Sequence, residues 1–180
     1  MSSLAKYLAI KNKNIVGYDR EKTELTCNLE KIGIDILYDF DINNIDKSFK
    51  DPTKTLVIYT PAISNDNLLF KFFKDLHFTI IKRSDLLASI VNNNFSIAIA
   101  GTHGKTTITA ILSHILSISN LNYTAFIGGI SNENNSNLKC LGDEIFIVEA
   151  DEYDRTFLKL KPNIIVVNIV CIYIKYWLTS

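Results

Sequence analysis

The sequence predicts an α/β protein in which strands of a parallel sheet alternate with helices. Short apolar runs of strand length alternate with stretches of helical period along most of the chain, which is typical of parallel βαβ units. A glycine-rich turn at residues 101–107 follows one buried-type strand, and a second such strand ends in the acidic residues 149–152. Open α/β sheets bind ligands where their strands end, so both features are candidates for function.

Residues 1–92 predict one α/β unit. Apolar residues at helical spacing predict four helices, at residues 3–9, 21–32, 67–76 and 84–91. Ser2 or Ser3 is available to cap the first helix, Gly33 ends the second, and Ser84 caps the fourth. Short apolar runs predict four strands, at residues 14–18, 34–38, 55–59 and 78–81.

A second unit is predicted after three consecutive asparagines at residues 92–94, which favour a turn over continued helix. Its predicted helix covers residues 105–117, and a polar loop is predicted at 131–137. Its predicted strands are the most apolar of the chain and cover residues 95–100, 123–127, 145–149 and 164–169. The sequence therefore predicts a boundary between 1–92 and 93–180.

Composition and charge exclude several classes of protein. The 180 residues are 47% hydrophobic, and 19 basic residues balance 19 acidic ones, so there is no basic surface for nucleic acid. Three widely spaced cysteines fit neither a disulfide framework nor a zinc site, which favours a reducing cytoplasm. The N-terminus has no signal-peptide pattern, and the apolar stretch 164–178 is interrupted by Asn168 and Lys175, so we expect no membrane segment.

The glycine-rich turn has the sequence GTHGKTT and joins a predicted buried strand to a predicted helix, as a phosphate-binding loop does. Its glycines let backbone N–H groups turn towards an anion, and the helix N-terminus adds unpaired N–H groups. Lys105 supplies a positive charge for the β- and γ-phosphates, and Thr106 a hydroxyl for Mg²⁺. The predicted phosphate site consists of Gly101, Thr102, His103, Gly104, Lys105, Thr106 and Thr107.

The loop is a short variant of the phosphate-loop pattern. The strict pattern requires a glycine five residues before Gly104, where this chain has Ile99. His103 either lies near the phosphates or fills the turn.

The acidic strand end predicts a metal site. Glu149 is the first acid after the apolar run 145–148, and it is best placed to coordinate Mg²⁺ directly or through water. Asp151 and Glu152 begin the following turn. The alternative is that all three acids are solvated residues at a strand end.

Together the two motifs resemble the ATP-dependent Mur ligase family. Residues 101–110 and 149–158 are similar to its members that join L-alanine to UDP-N-acetylmuramate in peptidoglycan synthesis. The resemblance implies a Rossmann-like UDP-substrate domain at 1–92, followed by part of a P-loop central ATPase domain at 93–180. It also implies weaker substrate roles for Asp19 and Pro61, each of which follows a predicted strand.

The resemblance implies an enzyme and its cofactors. In this family ATP phosphorylates the muramate carboxylate, and the amine of L-alanine then attacks the acyl phosphate. By resemblance Lys105 is the catalytic residue, Thr106 and Glu149 are the magnesium ligands, and ATP and Mg²⁺ are the cofactors. Catalysis by such groups rests mainly on positioning and electrostatics.

The chain also departs from the family pattern. We expect it to lack the opening strand with its glycine-rich turn, the acid-His-acid motif after residue 169, and the third, amino-acid-binding domain, and therefore to be unable to complete the ligation alone. Two alternatives stay open, namely another P-loop NTPase or small kinase, and a non-catalytic nucleotide-binding remnant. The absence of an arginine-rich lid and the 100 residues before the loop disfavour a kinase.

Overall fold

The computed structural model describes residues 1–39, 41–64, 66–131, 136–150 and 158–168, with the backbone alone for 129–131. Helices alternate with strands through most of this part of the chain, and the strand pairs are parallel except at one sheet edge. The predicted α/β class is therefore confirmed.

The first half of the chain forms two parallel strand pairs, each joined by a helix. The elements in order are α1 (Ser2–Ile10), β1 (Val16–Tyr18), α2 (Glu24–Lys31), β2 (Asp35–Leu37), β3 (Leu56–Tyr59), α3 (Leu68–Asp75), β4 (Thr79–Lys82) and α4 (Arg83–Val91). β1 pairs with β2, to which α2 connects it, and β3 pairs with β4, to which α3 connects it. Along the chain, single turns of 3-10 helix, Ile42–Asn44 and Lys47–Lys50, lie between the two pairs.

The second half forms a five-stranded sheet. Its elements are β5 (Phe95–Gly101), α5 (Lys105–Ile118), β6 (Tyr123–Ser131), β7 (Ser136–Cys140), β8 (Ile145–Glu149) and β9 (Ile164–Asn168). The strand order is β7-β6-β8-β5-β9, and the helix α5 connects β5 to β6. The strands are parallel except β7, which lies antiparallel to β6 at one edge.

Successive side chains of a strand point to opposite faces of the sheet, so the core has two parts, one on each face. One face packs against α5 through Leu116. Its buried strand residues are Ile97, Ile99, Tyr123, Ala125, Ile127 and Ile147. The opposite face packs against α1 and α4. Its buried members are Leu4, Tyr7, Leu86, Leu87, Ala88, Val91, Ala98, Phe126, Phe146, Val148, Ala150 and Leu160.

Helix α1 is held on that second face by polar contacts as well as by apolar packing. Lys11 forms an ion pair with Asp143, and Asn137 donates a hydrogen bond to Ser2 Oγ at 2.7 Å. Burial, together with the negative charge of Asp143, raises the pKa of the Tyr7 phenol. Residues of both predicted units therefore share one core.

Several predicted caps and bounds are wrong. Ser84 does not cap α4, because the helix begins at Arg83 and the Ser84 side chain is buried and accepts from Lys159 Nζ at 3.0 Å. Neither Ser2 nor Ser3 caps α1, whose cap residue is Met1. Helix α2 begins at Glu24 instead of residue 21, because Thr23 forms a capping box with Thr26.

The predicted polar loop at 131–137 is also wrong at both of its ends. β6 continues to Ser131, and β7 begins at Ser136. Pairing with β6 and contacts with α1 stabilise β7 despite its polar sequence: Lys6 donates to Ser136 Oγ at 3.3 Å.

Phe146→Ala tests the core that α1 and α4 share with the sheet. Phe146 has no exposed surface, so its truncation is expected to lower the free energy of unfolding by about 3–5 kcal/mol through lost packing and a residual cavity. Phe95→Ala is the matched control, since Phe95 is 46% exposed and its truncation should cost only about 1 kcal/mol. Urea unfolding measures both, and equal losses would contradict this description of the core.

Candidate nucleotide-phosphate site

The candidate site lies where three neighbouring parallel strands end. β5 lies between β8 and β9, and its last residue leads into the turn before α5. In the strand register Ile99 lies opposite Glu149 of β8, and Gly101 lies opposite Asn168 of β9. The predicted phosphate loop is therefore flanked by one carboxylate and one carboxamide, each the last residue of its strand.

The backbone of the loop requires both of its glycines. Gly101 has φ 132° and Gly104 has φ 73°, values in the left-handed region that residues with a Cβ rarely adopt. A Cβ at Gly101 would lie 2.1 Å from the backbone oxygen of Asn168, and one at Gly104 would lie 2.8 Å from Asn168 Nδ2. The glycines thus allow β9 to approach the loop closely.

The loop presents donors to solvent. Gly104 is the N-cap of α5, so the first N–H groups of that helix have no partner within the helix. Lys105 is half-buried, and its Nζ donates to the carbonyl of Gly101 at 2.6 Å, which places the ammonium over the turn. Thr102, His103, Gly104 and Thr107 are exposed. N–H groups, a helix N-terminus and an ammonium in one exposed turn are suited to binding an anion.

Glu149 lies beside this loop because of the strand period. Residues 145, 147 and 149 of β8 lie on one face, which is the face that α5 covers. Thr106 Oγ1 donates to Glu149 Oε2 at 3.2 Å, and the N–H of Gly128 donates to Glu149 Oε1 at 2.9 Å. The structure thus brings together the two residues predicted to hold magnesium.

These two side chains fit a magnesium ion by their chemistry. A hydroxyl and a carboxylate supply the hard oxygen ligands that Mg²⁺ prefers, and Mg²⁺ usually keeps several waters, so two protein ligands suffice. Within the described ranges no group of three or more His, Cys, Asp or Glu side chains is arranged to hold a metal. Asp151 and Glu152, the other acids of the predicted strand end, lie outside the described residues.

Asp19 and Pro61, the predicted substrate residues, are exposed and follow β1 and β3 respectively. The N–H of Asp19 donates to the carbonyl of Leu37, and its carboxylate accepts from the N–H of Glu21. No hydrogen bond or ion pair among the described residues joins either one to the loop.

Asn168 is a residue of this site that the sequence reasoning missed. Its Nδ2 donates to the backbone oxygen of His103 at 3.0 Å. The available signal was its position at the end of an apolar run, 164–167, which is the same signal that selected Glu149.

Residues 1–95 match the sequence model of a protein family, which is described as the Mur ligase family, catalytic domain. The chain belongs to the Mur ligase family. The match ends within β5, and similarity to individual members of the family extends through the loop and β8. The UDP-N-acetylmuramate–L-alanine ligase of Christiangramia forsetii is 46% identical over 165 residues, which cover 91% of this chain and 36% of that relative.

Solved structures of Mur ligases share the fold. The UDP-N-acetylmuramate-alanine ligase of Thermotoga maritima is 28% identical with a TM-score of 0.82, over 94% of this chain and 39% of that one. The UDP-N-acetylmuramate:L-alanyl-gamma-D-glutamyl-meso-diaminopimelate ligase of Neisseria meningitides is 24% identical with a TM-score of 0.81, over 94% of this chain and 56% of that one. The Rossmann-like and P-loop architecture expected from the resemblance is therefore confirmed.

The chain spans little more than a third of the length of the curated ligase relatives it matches. None of the helices formed by its described residues has the length and apolar character needed to cross a bilayer.

Gly101→Ala tests the close approach of β9 to the loop. The variant places a Cβ against the Asn168 backbone and also requires an unfavourable φ, so we expect a loss of about 3 kcal/mol in the free energy of unfolding. Gly33→Ala is the control, because Gly33 also has a positive φ but nothing within 4 Å of a Cβ, and should lose about 1 kcal/mol. Similar urea midpoints for the two variants would show that the loop does not contact β9 in this way.

Proposed function

We propose that this chain is part of an ATP-dependent ligase that joins L-alanine to UDP-N-acetylmuramate in peptidoglycan synthesis in the cytoplasm. The observation that carries the proposal is the loop 101–107, with Lys105 over the turn and Thr106 hydrogen-bonded to Glu149. The choice of substrates is supported by the similar proteins, which are UDP-N-acetylmuramate–L-alanine ligases. The N-terminal unit, 1–92, is proposed to bind the UDP substrate, with Asp19 and Pro61 as contacts, and 93–180 to be part of the ATPase domain.

Lys105 is proposed to exchange partners when ATP binds. Its ammonium donates to the Gly101 carbonyl, a neutral acceptor. A phosphate oxygen carries negative charge and forms a stronger, charge-assisted hydrogen bond. The N–H groups at the start of α5 would bind the same phosphates.

Thr106 and Glu149 are proposed to hold Mg²⁺. The bound ion would supply positive charge that offsets the negative charge of the phosphate oxygens. The Gly128 N–H fixes one oxygen of the Glu149 carboxylate, and the Thr106 hydroxyl contacts the other. The carboxylate is therefore already oriented towards the loop by this chain's own residues.

The proposed reaction has two steps. A carboxylate oxygen of the muramate attacks the γ-phosphorus of ATP, which forms an acyl phosphate and releases ADP. The amine of L-alanine then attacks the acyl carbon and loses a proton, the amide bond forms, and phosphate leaves. In the first step Lys105 would stabilise negative charge on the transferring phosphoryl group, and in the second step negative charge on the leaving phosphate, as preorganised cations do.

Two other functions use the same loop. Another P-loop NTPase or kinase would bind ATP but would show no coupling to a muramate nucleotide, and a non-catalytic remnant would bind nucleotide alone. The similarity of 165 residues to a named L-alanine ligase favours the ligase over both.

Lys105→Ala is expected to weaken binding of magnesium–ATP by about 10- to 100-fold, because a charge-assisted hydrogen bond to phosphate is lost. Isothermal titration calorimetry measures the affinity. Lys54→Ala is the control, since Lys54 is exposed, forms an ion pair with Asp51, and is joined to the loop by no hydrogen bond or ion pair among the described residues. Its variant should bind as the unaltered chain does. Unchanged affinity in Lys105→Ala would show that the loop is not part of the nucleotide site.

UDP-N-acetylmuramate is expected to bind the chain and to change its affinity for magnesium–ATP. Calorimetric titration of each ligand in the presence and absence of the other measures this coupling, and UDP-glucose is the matched control nucleotide. Binding of ATP with no response to UDP-N-acetylmuramate would favour the NTPase or the remnant.

A further inference from the structure

Asn168 contacts the phosphate loop in three ways. Its backbone pairs with Gly101, its carboxamide lies against Gly104, and its Nδ2 donates to the His103 carbonyl at 3.0 Å. The second and third of these contacts are made with one peptide group, which joins His103 to Gly104. Asn168 therefore contacts the loop where the turn ends and α5 begins.

The peptide bond between His103 and Gly104 is planar and trans, since the described chain has no cis peptide bonds. In a trans peptide the C=O and the N–H point in opposite directions. A hydrogen bond that holds the His103 carbonyl towards Asn168 therefore turns the Gly104 N–H away from Asn168. Because Gly104 has no Cβ and a left-handed φ, this peptide would otherwise rotate easily.

The backbone pairing of β9 with β5 fixes the position of Asn168, since the register runs unbroken from Ile164 opposite Ile97 to Asn168 opposite Gly101. At the opposite end of the strand the N–H of Asn163 donates to the Ser96 carbonyl, and the Ser96 N–H donates to Asn163 Oδ1, both at 2.9 Å. An asparagine thus joins β9 to β5 at each end, and only Asn168 contacts the loop.

We infer that Asn168 is a positioning residue of the phosphate site, which orients the 103–104 peptide so that the Gly104 N–H points into the loop as a donor to a polyphosphate. This role rests on the proposed nucleotide-binding function of the loop. Asn168 itself makes no contact with the phosphate. It acts by setting the direction of a backbone donor before the ligand arrives, and such preorganisation increases affinity.

The first test is the amide resonance of Gly104 in the full chain without ligand. The ¹⁵N shift of an amide responds to a hydrogen bond at the carbonyl of the same peptide, so Asn168→Ala should move the Gly104 resonance. Asn163→Ala removes the equivalent asparagine at the opposite end of β9 and should leave that resonance in place. A Gly104 resonance that does not move in Asn168→Ala would overturn the inference.

The second test is the affinity for magnesium–ATP, measured by calorimetry on the same variants. Asn168→Ala and Asn168→Asp are each expected to weaken binding about tenfold, because a correctly directed donor is lost. Asn163→Ala should stay within about twofold of the unaltered chain. Weakening by the aspartate variant alone would mean that repulsion of the anion, and not orientation of the peptide, explains the effect, which would contradict the inference.

Thermal unfolding of the ligand-free variants separates positioning from folding. A purely structural role predicts a lower Tm in Asn168→Ala with normal affinity in the folded fraction, and that result would also overturn the inference. If the unaltered chain fails to bind ATP, the proposed function fails, while the Gly104 resonance still decides whether Asn168 orients the peptide.

Discussion

The site depends on the close approach of β9 to the last residue of β5. At Gly101 the two backbones are so near that a Cβ would lie 2.1 Å from the Asn168 oxygen. This approach places β9 on one side of the loop, while β8 brings Glu149 to the other side. Because both neighbours run parallel to β5, their carboxyl ends meet at the same edge, and the loop, the carboxylate and the carboxamide come together there.

Much of this site could be predicted from the sequence because its determinants are local. The glycines, Lys105 and Thr106 follow one another at a strand-to-helix junction, and their residue types alone indicate phosphate binding. Glu149 was predictable for the same reason, since a strand period of two places it on the face of residues 145 and 147. Once that face packs against α5, contact with Thr106 follows.

The features that the sequence did not reveal depend on contacts between distant residues. Strand β7 is polar and edge-lying, and it is stabilised by β6 and by α1, more than a hundred residues away. Ser84 was predicted to cap a helix, but its side chain is buried and contacts Lys159. Asn168 lies beside the loop because the register of β9 places it opposite Gly101. The division at residue 92 stays a prediction, although α1 and α4 pack on the sheet of the second half in one core.

The most direct test of whether the turn between β5 and α5 binds a polyphosphate is to record backbone amide NMR shifts while magnesium–ATP is added. The N–H groups of residues 101–107 are the predicted donors, so their ¹H and ¹⁵N resonances should show the largest changes, followed by those of Gly128 and Glu149, which flank the predicted metal position. Two results would contradict the account. In one, ATP saturates the chain and the resonances of these amides do not shift. In the other, the largest shifts occur near another surface, such as the cleft between Lys13 and Asp35.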